Sequence, residues 1–220
     1  ENGNSFEENA IIKAKEYFKL FKIPCLTDDS GLMVEQLNNQ PGIFSARYAG
    51  ENATDENNNI KLVSELNSFS EPHKAKYYCV AVYFNDSNII TAHGEILGTI
   101  TKYPKGKNGF GYDPHFIPDG YNCTMAELDA DTKNKISHRY HAFNNLFQKM
   151  LCLYMNPTDK KAVRVAILDM YEGYANQGMR CIREILNQFG ETNNLDLSWD
   201  EFDVRLEKQV PDLSYDIYIS

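Results

Sequence analysis

Apolar positions recur with a helical period at the start of the chain. Spacings of three and four predict an amphipathic helix over residues 5–22, which begins at a capping box at Ser5 and ends before Pro24. Its apolar face consists of Phe6, Ala10, Ala14, Phe18 and Phe21. Beside that face, Ser5, Asn9 and Lys13 form a polar stripe at intervals of four residues.

The middle of the chain changes to strand-like patterns. Residues 24–27 predict a short strand that ends at the turn-forming cluster 28–31, and residues 55–67 predict a second helix. β-Branched and aromatic residues over 75–84 and 89–102 predict a hairpin. A loop rich in glycine, proline and lysine at 104–114 and a helix at 139–154 follow.

The tail of the chain has a different texture. A polar linker at 155–162 leads into Val163–Met170, a near-continuous apolar run that is typical of a buried parallel strand. Further along, the pattern predicts a helix at Gln177–Phe189 and strands at 199–205 and 215–219. We therefore expect one domain over residues 1–154 and a β-α-β fragment over 163–220.

Composition excludes several classes of protein. The 220 residues are 42% hydrophobic and 24% charged, which indicates a globular chain that can bury a core. A net charge of -9 argues against a general nucleic-acid or anionic-membrane binder, and no apolar run approaches a membrane span. The five cysteines are widely spaced, which is typical of reduced thiols in the cytoplasm. The polar opening without Met predicts no signal peptide and a missing upstream segment.

Three groups near the start of the chain are candidates for phosphate and metal chemistry. Asp28 and Asp29 point to opposite sides of a strand end, so one of them can bind Mg²⁺ or act as a general base; an acidic turn is the alternative. Glu1 either completes a metal site with Asp29 or is an exposed terminal residue. Lys13 is either a phosphate ligand or a solvated lysine.

Two later groups are candidates for binding a base. The glycines of the segment 109–114 allow close approach to a ligand, and its aromatic rings can stack on a planar base. Taken alone, the segment is more often a structural hairpin turn. Lys133, His138 and Arg139 can donate hydrogen bonds to the keto oxygens of a base. The alternative is a basic stretch near a helix start, where the helix dipole makes positive charge unfavourable.

Six motifs in order resemble one known family. They are ENGNSFEENAIIKAK (1–15), TDDSGL (27–32), PGIFSARYAG (41–50), GFGYDPHF (109–116), TMAEL (124–128) and KNKISHR (133–139). Together they resemble the inosine triphosphatase-like pyrophosphatases of non-standard purine nucleoside triphosphates, over residues 1 to about 152. The resemblance implies an α/β fold with a long mixed β-sheet flanked by helices, in two lobes around a central cleft. It also implies a homodimer.

The resemblance implies a role for each candidate residue. Glu1 and Asp29 would hold Mg²⁺, and Asp29 would activate the water that attacks the α-phosphorus. Lys13 and Ser30 would contact phosphate. The base would meet the loop residues Phe110, Gly111, Tyr112 and Asp113 and the donors Lys133, His138 and Arg139. The implied activity is Mg²⁺-dependent hydrolysis of ITP, dITP and XTP to the monophosphate and pyrophosphate, which would clean the nucleotide pool.

The sequence departs from the family at both ends. The family's first strand and its phosphate loop have no counterpart before Glu1, so we expect an N-terminally truncated domain, with a nucleotide-binding fragment lacking full catalysis as the alternative. From Val163 the tail weakly resembles the opening of a class I glutamine amidotransferase-like domain. Because the chain stops before that family's nucleophile, we expect no amidotransferase activity. A pyrophosphatase fused to an amidotransferase is a further alternative.

Overall fold

A computed structural model describes residues 2–154 and, beyond them, 163–169, 183, 186–187, 189–191, 197–203 and 217–219. The described helices are α1 (Phe6–Phe21), α2 (Asp55–Leu66), α3 (Ala130–Ile136) and α4 (His138–Tyr154). The described strands are β1 (Cys25–Val34), β2 (Gln40–Pro41), β3 (His73–Asn85), β4 (Asn88–Ile100), β5 (Phe116–Pro118), β6 (Val163–Asp169), β7 (Leu197–Asp203) and β8 (Ile217–Ile219).

The strands form a mixed sheet. Its order is β5-β4-β3-β1-β8-β6-β7, and β2 pairs with the end of β1. The β4–β5 and β1–β2 pairs are antiparallel, whereas β8 runs parallel to both β1 and β6. The expected α/β class, with a long mixed sheet and helices, is therefore confirmed.

By contacts, the chain divides into two compact units. The first comprises Glu1–Asp29, Val80–His93 and Ala142–Ser220, and the second comprises Ser30–Cys79 and Gly94–His141. The domain boundaries expected from the sequence, 1–154 and 163–220, stay predictions, and the linker at 155–162 lies outside the described residues. Within the part of the chain that is described, no helix is both long and apolar enough to cross a bilayer.

In the first unit, α1 packs closely against β1. The helix begins at Ser5, whose hydroxyl accepts a hydrogen bond from the Glu8 backbone N–H, as the capping pattern predicted. Its alanines at positions 10 and 14 are fully buried, and their small size lets the strand approach. The Thr27 hydroxyl donates to the Ala10 carbonyl at 2.8 Å, which fixes the helix to the strand.

The second unit has its own apolar core. Aliphatic residues of β1 and α2 meet aromatic and aliphatic residues of β3, β5 and the segment that follows β5. The largest fully buried members are Leu32, Leu62, Leu66, Phe116 and Met125. Tyr77 on β3 packs against Phe116 with 4.7 Å between ring centroids. This core supports the loop between β4 and β5, which carries the candidate base-binding residues 110–113.

The structure confirms most elements and corrects one. The helices expected at 5–22, 55–67 and 139–154 and the hairpin of β3 and β4 are present. The turn expected at 28–31 is wrong, because β1 continues through it to Val34. Pairing of Met33 with Pro41 on β2 and burial of Leu32 and Val34 outweigh the turn propensity of the Asp-Asp-Ser-Gly sequence.

Elements beyond residue 154 also agree where they are described. β6, β7 and β8 lie within or next to the three strands expected in the tail. Of the helix expected at Gln177–Phe189, only part is described, and those residues are helical. The sequence patterns did not predict β5 or α3.

Candidate functional site

An acidic centre lies in the first unit, where β1 passes α1. Asn9 donates from its amide nitrogen to Asp29 Oδ2 at 3.1 Å, and the Lys13 ammonium lies 3.4 Å from Asp29 Oδ1. Lys13 also donates to the backbone carbonyl of Asp28 at 2.6 Å. Asn9 is fully buried, and its side-chain oxygen accepts from the Gly3 backbone N–H. The polar stripe on α1 therefore surrounds the Asp29 carboxylate, whose side chain is 11% exposed.

Asn9 was not a candidate residue in its own right. Its place on the stripe with Lys13 was the available signal, since positions four apart share one face of a helix. The structure shows what the stripe does: an amide and an ammonium approach the two oxygens of one carboxylate.

The acidic centre fits a hard divalent cation. Asp28 and Asp29 are consecutive on β1, so their side chains point to opposite faces and only one carboxylate belongs to each face. Among the described residues, no group of three or more acidic, histidine or cysteine side chains is placed to hold a metal ion. A hard divalent cation can be held by one or two carboxylates, with water and substrate phosphates completing its shell, and Asp29 could provide one such ligand. Glu1 lies outside the described residues, and Ser30 follows on β1, half-buried.

The second unit carries the loop 109–113, here named the base loop. Phe110 is 47% exposed, whereas Tyr112 is 4% exposed and donates from its hydroxyl to the Ser45 carbonyl at 2.8 Å. The Asp113 carboxylate accepts from the Phe110 backbone N–H at 2.9 Å and so closes the loop. Of the two loop rings, Phe110 is exposed, and Tyr112 anchors the loop in the core.

Two cations lie beside the exposed ring of the base loop. Lys133 Nζ is 5.0 Å from the Phe110 ring centroid, and the Arg139 guanidinium carbon is 5.8 Å from it. Lys133 also forms a buried ion pair with Asp113 Oδ2. A Cβ at Gly109 would overlap Asp113 Oδ2 and lie 2.5 Å from Lys133 Nζ, so only glycine leaves room for this pair. The positive φ of 83° there also favours glycine.

His138, at the start of α4, is the third expected base ligand. Its ring stacks on Tyr77 with 4.8 Å between centroids and 10° between planes. Burial, together with the nearby Arg139 and Lys133 charges, lowers the pKa of His138 well below its usual value, so the imidazole stays neutral. Burial raises the pKa of Tyr77, which therefore keeps the hydroxyl proton that it donates to Asp113 at 3.3 Å.

Tyr77 was not among the expected site residues. Strand alternation on β3 places it in the core, and no motif marks it. Within the second unit the structure brings together Phe110, Asp113, Lys133, His138 and Arg139, and their role in binding a base stays a prediction. It adds Tyr77, which touches two of them.

The comparison with protein families decides the relationship. A family model described as the Ham1 family matches residues 1–149. The chain belongs to the Ham1 family. The match covers all six motifs, and it confirms the resemblance to the pyrophosphatases of non-standard purine nucleotides. The resemblance of the tail to an amidotransferase stays a prediction.

Relatives of this Ham1-family chain carry one functional name. The chain is 47% identical over 150 residues to the dITP/XTP pyrophosphatase of Legionella pneumophila. The aligned region covers 66% of this chain and 77% of that protein. It is 46% identical over 154 residues to the dITP/XTP pyrophosphatase of Aquifex aeolicus, covering 66% and 76%.

Solved structures of Ham1 proteins share the fold. The Staphylococcus aureus Ham1 protein superimposes with a TM-score of 0.66 at 41% identity, over 70% of this chain and 80% of that one. A HAM1 protein from Coxiella burnetii gives a TM-score of 0.64 at 43% identity, over 70% and 78%. At such identity the likeness extends to sequence as well as fold.

Proposed function

We propose that this chain hydrolyses deaminated purine nucleoside triphosphates such as dITP, ITP and XTP to the monophosphate and pyrophosphate, and so cleans the nucleotide pool. The observation that carries the proposal is the base loop, where an exposed aromatic ring lies beside two cationic donors. Relatives in the Ham1 family that are named dITP/XTP pyrophosphatases support the same substrate class.

Base recognition follows from the chemistry of these groups. The Phe110 face stacks on the purine, and Lys133 and Arg139 donate to its keto oxygens. Neutral His138 supplies one further donor from its ring. Because adenine presents an amino group where hypoxanthine and xanthine present a 6-keto oxygen, a site of donors leaves adenine with donor facing donor. The site therefore favours deaminated bases.

The acidic centre would carry the phosphate chemistry. Family membership supports a divalent metal cofactor, and we propose Mg²⁺, held by Asp29 and, by resemblance, Glu1. The bound ion would neutralise charge on the phosphates. Asp29 accepts the proton of the water that attacks the α-phosphorus, and Asn9 keeps the carboxylate oriented. Lys13, together with Ser30, binds phosphate oxygens.

Several wider features stay proposals of the same kind. We propose a homodimer in the cytoplasm that acts on free nucleotides and binds neither nucleic acid nor membrane. Among the cysteine side chains that the structure describes, Cys25, Cys79 and Cys123 form no disulfide, which is consistent with a reducing compartment. A catalytically impaired nucleotide-binding fragment and a fusion to an amidotransferase remain the alternatives that the test below separates from the enzyme.

Pyrophosphate release tests the function directly. We expect the chain with Mg²⁺ to release pyrophosphate from dITP and XTP far faster than from dATP, and EDTA to stop the release. Asp29→Asn should lower kcat by about 100-fold or more with an unchanged circular dichroism spectrum, since general-base catalysis alone contributes roughly this factor. Asp28→Asn, the matched change on the opposite face of β1, should retain most of the rate.

Two outcomes would contradict the proposal. Equal rates with dITP and dATP would show that the base loop does not select deaminated purines. Tight binding of dITP with no pyrophosphate release, in this chain and in one extended upstream, would instead establish a nucleotide-binding fragment.

A further inference from the structure

Two side chains of α2 form hydrogen bonds with the backbone of Gly111 in the base loop. Asp55 Oδ2 accepts a hydrogen bond from the Gly111 backbone N–H at 2.6 Å. One helical turn later, the Asn59 side-chain amide donates to the Gly111 carbonyl at 2.8 Å. Because residues four apart share one helix face, two side chains of α2 bind both backbone groups of the same glycine.

This glycine needs such support more than its neighbours do. It has a φ of 61°, and a Cβ built on it would meet nothing within 4 Å among the described residues. On either side the loop is fixed in other ways, through the Phe110 backbone N–H on Asp113 and the Tyr112 hydroxyl on Ser45. Of the two peptide groups that connect the exposed ring to the buried anchor, the first is also held by the Asp113 backbone N–H, which donates to the Phe110 carbonyl at 3.3 Å. The N–H and C=O of Gly111 itself are bound by α2.

The environment of Asn59 indicates that its amide nitrogen is the group that matters. Its Oδ1 is buried and has no hydrogen-bond partner within the described part of the chain. A buried acceptor without a partner costs free energy. The amide nitrogen, which donates to the Gly111 carbonyl, is therefore the part of this side chain that makes a favourable polar contact.

We propose that Asp55 and Asn59 are positioning residues for base selection. They act through Gly111, fixing the placement of the Phe110 ring relative to Lys133 and Arg139. The inference rests on the proposed function, because it names what aligns the base-binding part of that site. It assigns to α2 a part in specificity that none of the six sequence motifs includes.

The test compares substitutions of Asp55 and Asn59 with control substitutions at nearby residues that form no hydrogen bond with Gly111. We expect Asp55→Ala and Asn59→Leu each to raise KM for ITP by about 10-fold with kcat within about twofold, since a loosened loop weakens base binding and leaves the phosphate chemistry intact. The preference for ITP over ATP should fall by a similar factor. Asn57→Ala and Asn52→Ala, exposed positions on α2 and just before it, should match the wild type. Asp55→Asn keeps an oxygen acceptor, so its rise in KM and its fall in ITP preference should be at most half of those in Asp55→Ala.

A second measurement separates this inference from the proposed function. Amide hydrogen exchange in the segment 108–114, measured without substrate, should quicken in Asp55→Ala and Asn59→Leu and not in the two controls. The urea midpoint of Asn59→Leu should change little, because loss of the hydrogen bond to Gly111 and removal of the unsatisfied oxygen have opposite effects on stability. Unchanged exchange would overturn the inference, as would faster exchange with wild-type KM and selectivity.

If the wild-type chain hydrolyses no nucleotide, the proposed function is refuted, but the positioning role of Asp55 and Asn59 is not. The affinity for ITP, measured by calorimetry on the same variants, would then decide the positioning role. A loss of about 10-fold in Asp55→Ala and Asn59→Leu would sustain it, and equal affinities in all variants would overturn it.

Discussion

Replacing Asp113 with alanine removes the group on which the base loop converges. Its carboxylate accepts hydrogen bonds from the Lys133 ammonium, the Phe110 backbone N–H and the Tyr77 hydroxyl. Lys133 is 9% exposed, so the variant leaves a buried ammonium without its counter-ion. Breaking a buried pair from one side typically costs about 3–5 kcal/mol, and we expect a loss of unfolding free energy of that size.

The double variant separates the interaction between Asp113 and Lys133 from the other contacts of the two side chains. Lys133→Met removes the buried ammonium and keeps most of the side-chain volume, so Asp113→Ala with Lys133→Met should be more stable than Asp113→Ala alone. We expect a coupling free energy of about 2 kcal/mol or more, within the usual range for contacting residues. Glu95→Ala provides the control, because Glu95 pairs with Lys76 at 2.9 Å on the surface, where such pairs contribute at most about 1 kcal/mol.

Urea unfolding followed by far-ultraviolet circular dichroism gives the four free energies, provided that the denaturant slopes of the variants agree. Single losses that simply add in the double variant would refute the argument. So would an Asp113→Ala variant that loses no more stability than the surface control.

Two further predictions concern pH and the loop glycines. Burial lowers the pKa of His138 and His73 below the usual value of 6.5, so below about pH 6.5 the unfolded chain binds protons that the folded chain does not. Stability should therefore fall as the pH drops through this range, and urea midpoints of His138→Gln should fall less steeply than those of the wild type. An equal decline would contradict this. Gly109→Ala should be clearly less stable than Gly111→Ala, because its Cβ would overlap Asp113, whereas Gly111→Ala adds only about 1–2 kcal/mol of backbone strain. Equal midpoints would refute the steric argument.

The long helices and strands could be predicted because the sequence patterns that define them lie within the elements themselves. The N-cap Ser5 and the apolar period define α1, and β-branched and aromatic runs define β3 and β4. The continuation of β1 through the Asp-Asp-Ser-Gly segment could not be predicted in this way. It depends on pairing with β2 and on burial in the core of the second unit, and both are contacts between distant residues.

The site was predictable in its residue types and not in its geometry. From the sequence, Phe110 and Tyr112 were both candidates for stacking on the base, because spacing alone does not distinguish an exposed ring from a buried one. The structure separates them, because Tyr112 finds a carbonyl acceptor in Ser45 and Phe110 does not. Asp55 escaped notice because its importance lies in a hydrogen bond to a glycine that is 56 positions away in the chain.

The pairing of β8 with β1 bears on the solubility of the protein. β8 runs parallel to β1 at Cys25 and Leu26, at one side of the strand whose later residues include the catalytic candidate Asp29. A strand edge with free N–H and C=O groups is a template for pairing with other chains and for aggregation. At Cys25 and Leu26 the short strand 217–219 occupies that edge, so these two positions of β1 are closed to pairing with another chain. The tail thus shields one end of β1 through its backbone, independently of any chemistry of its own.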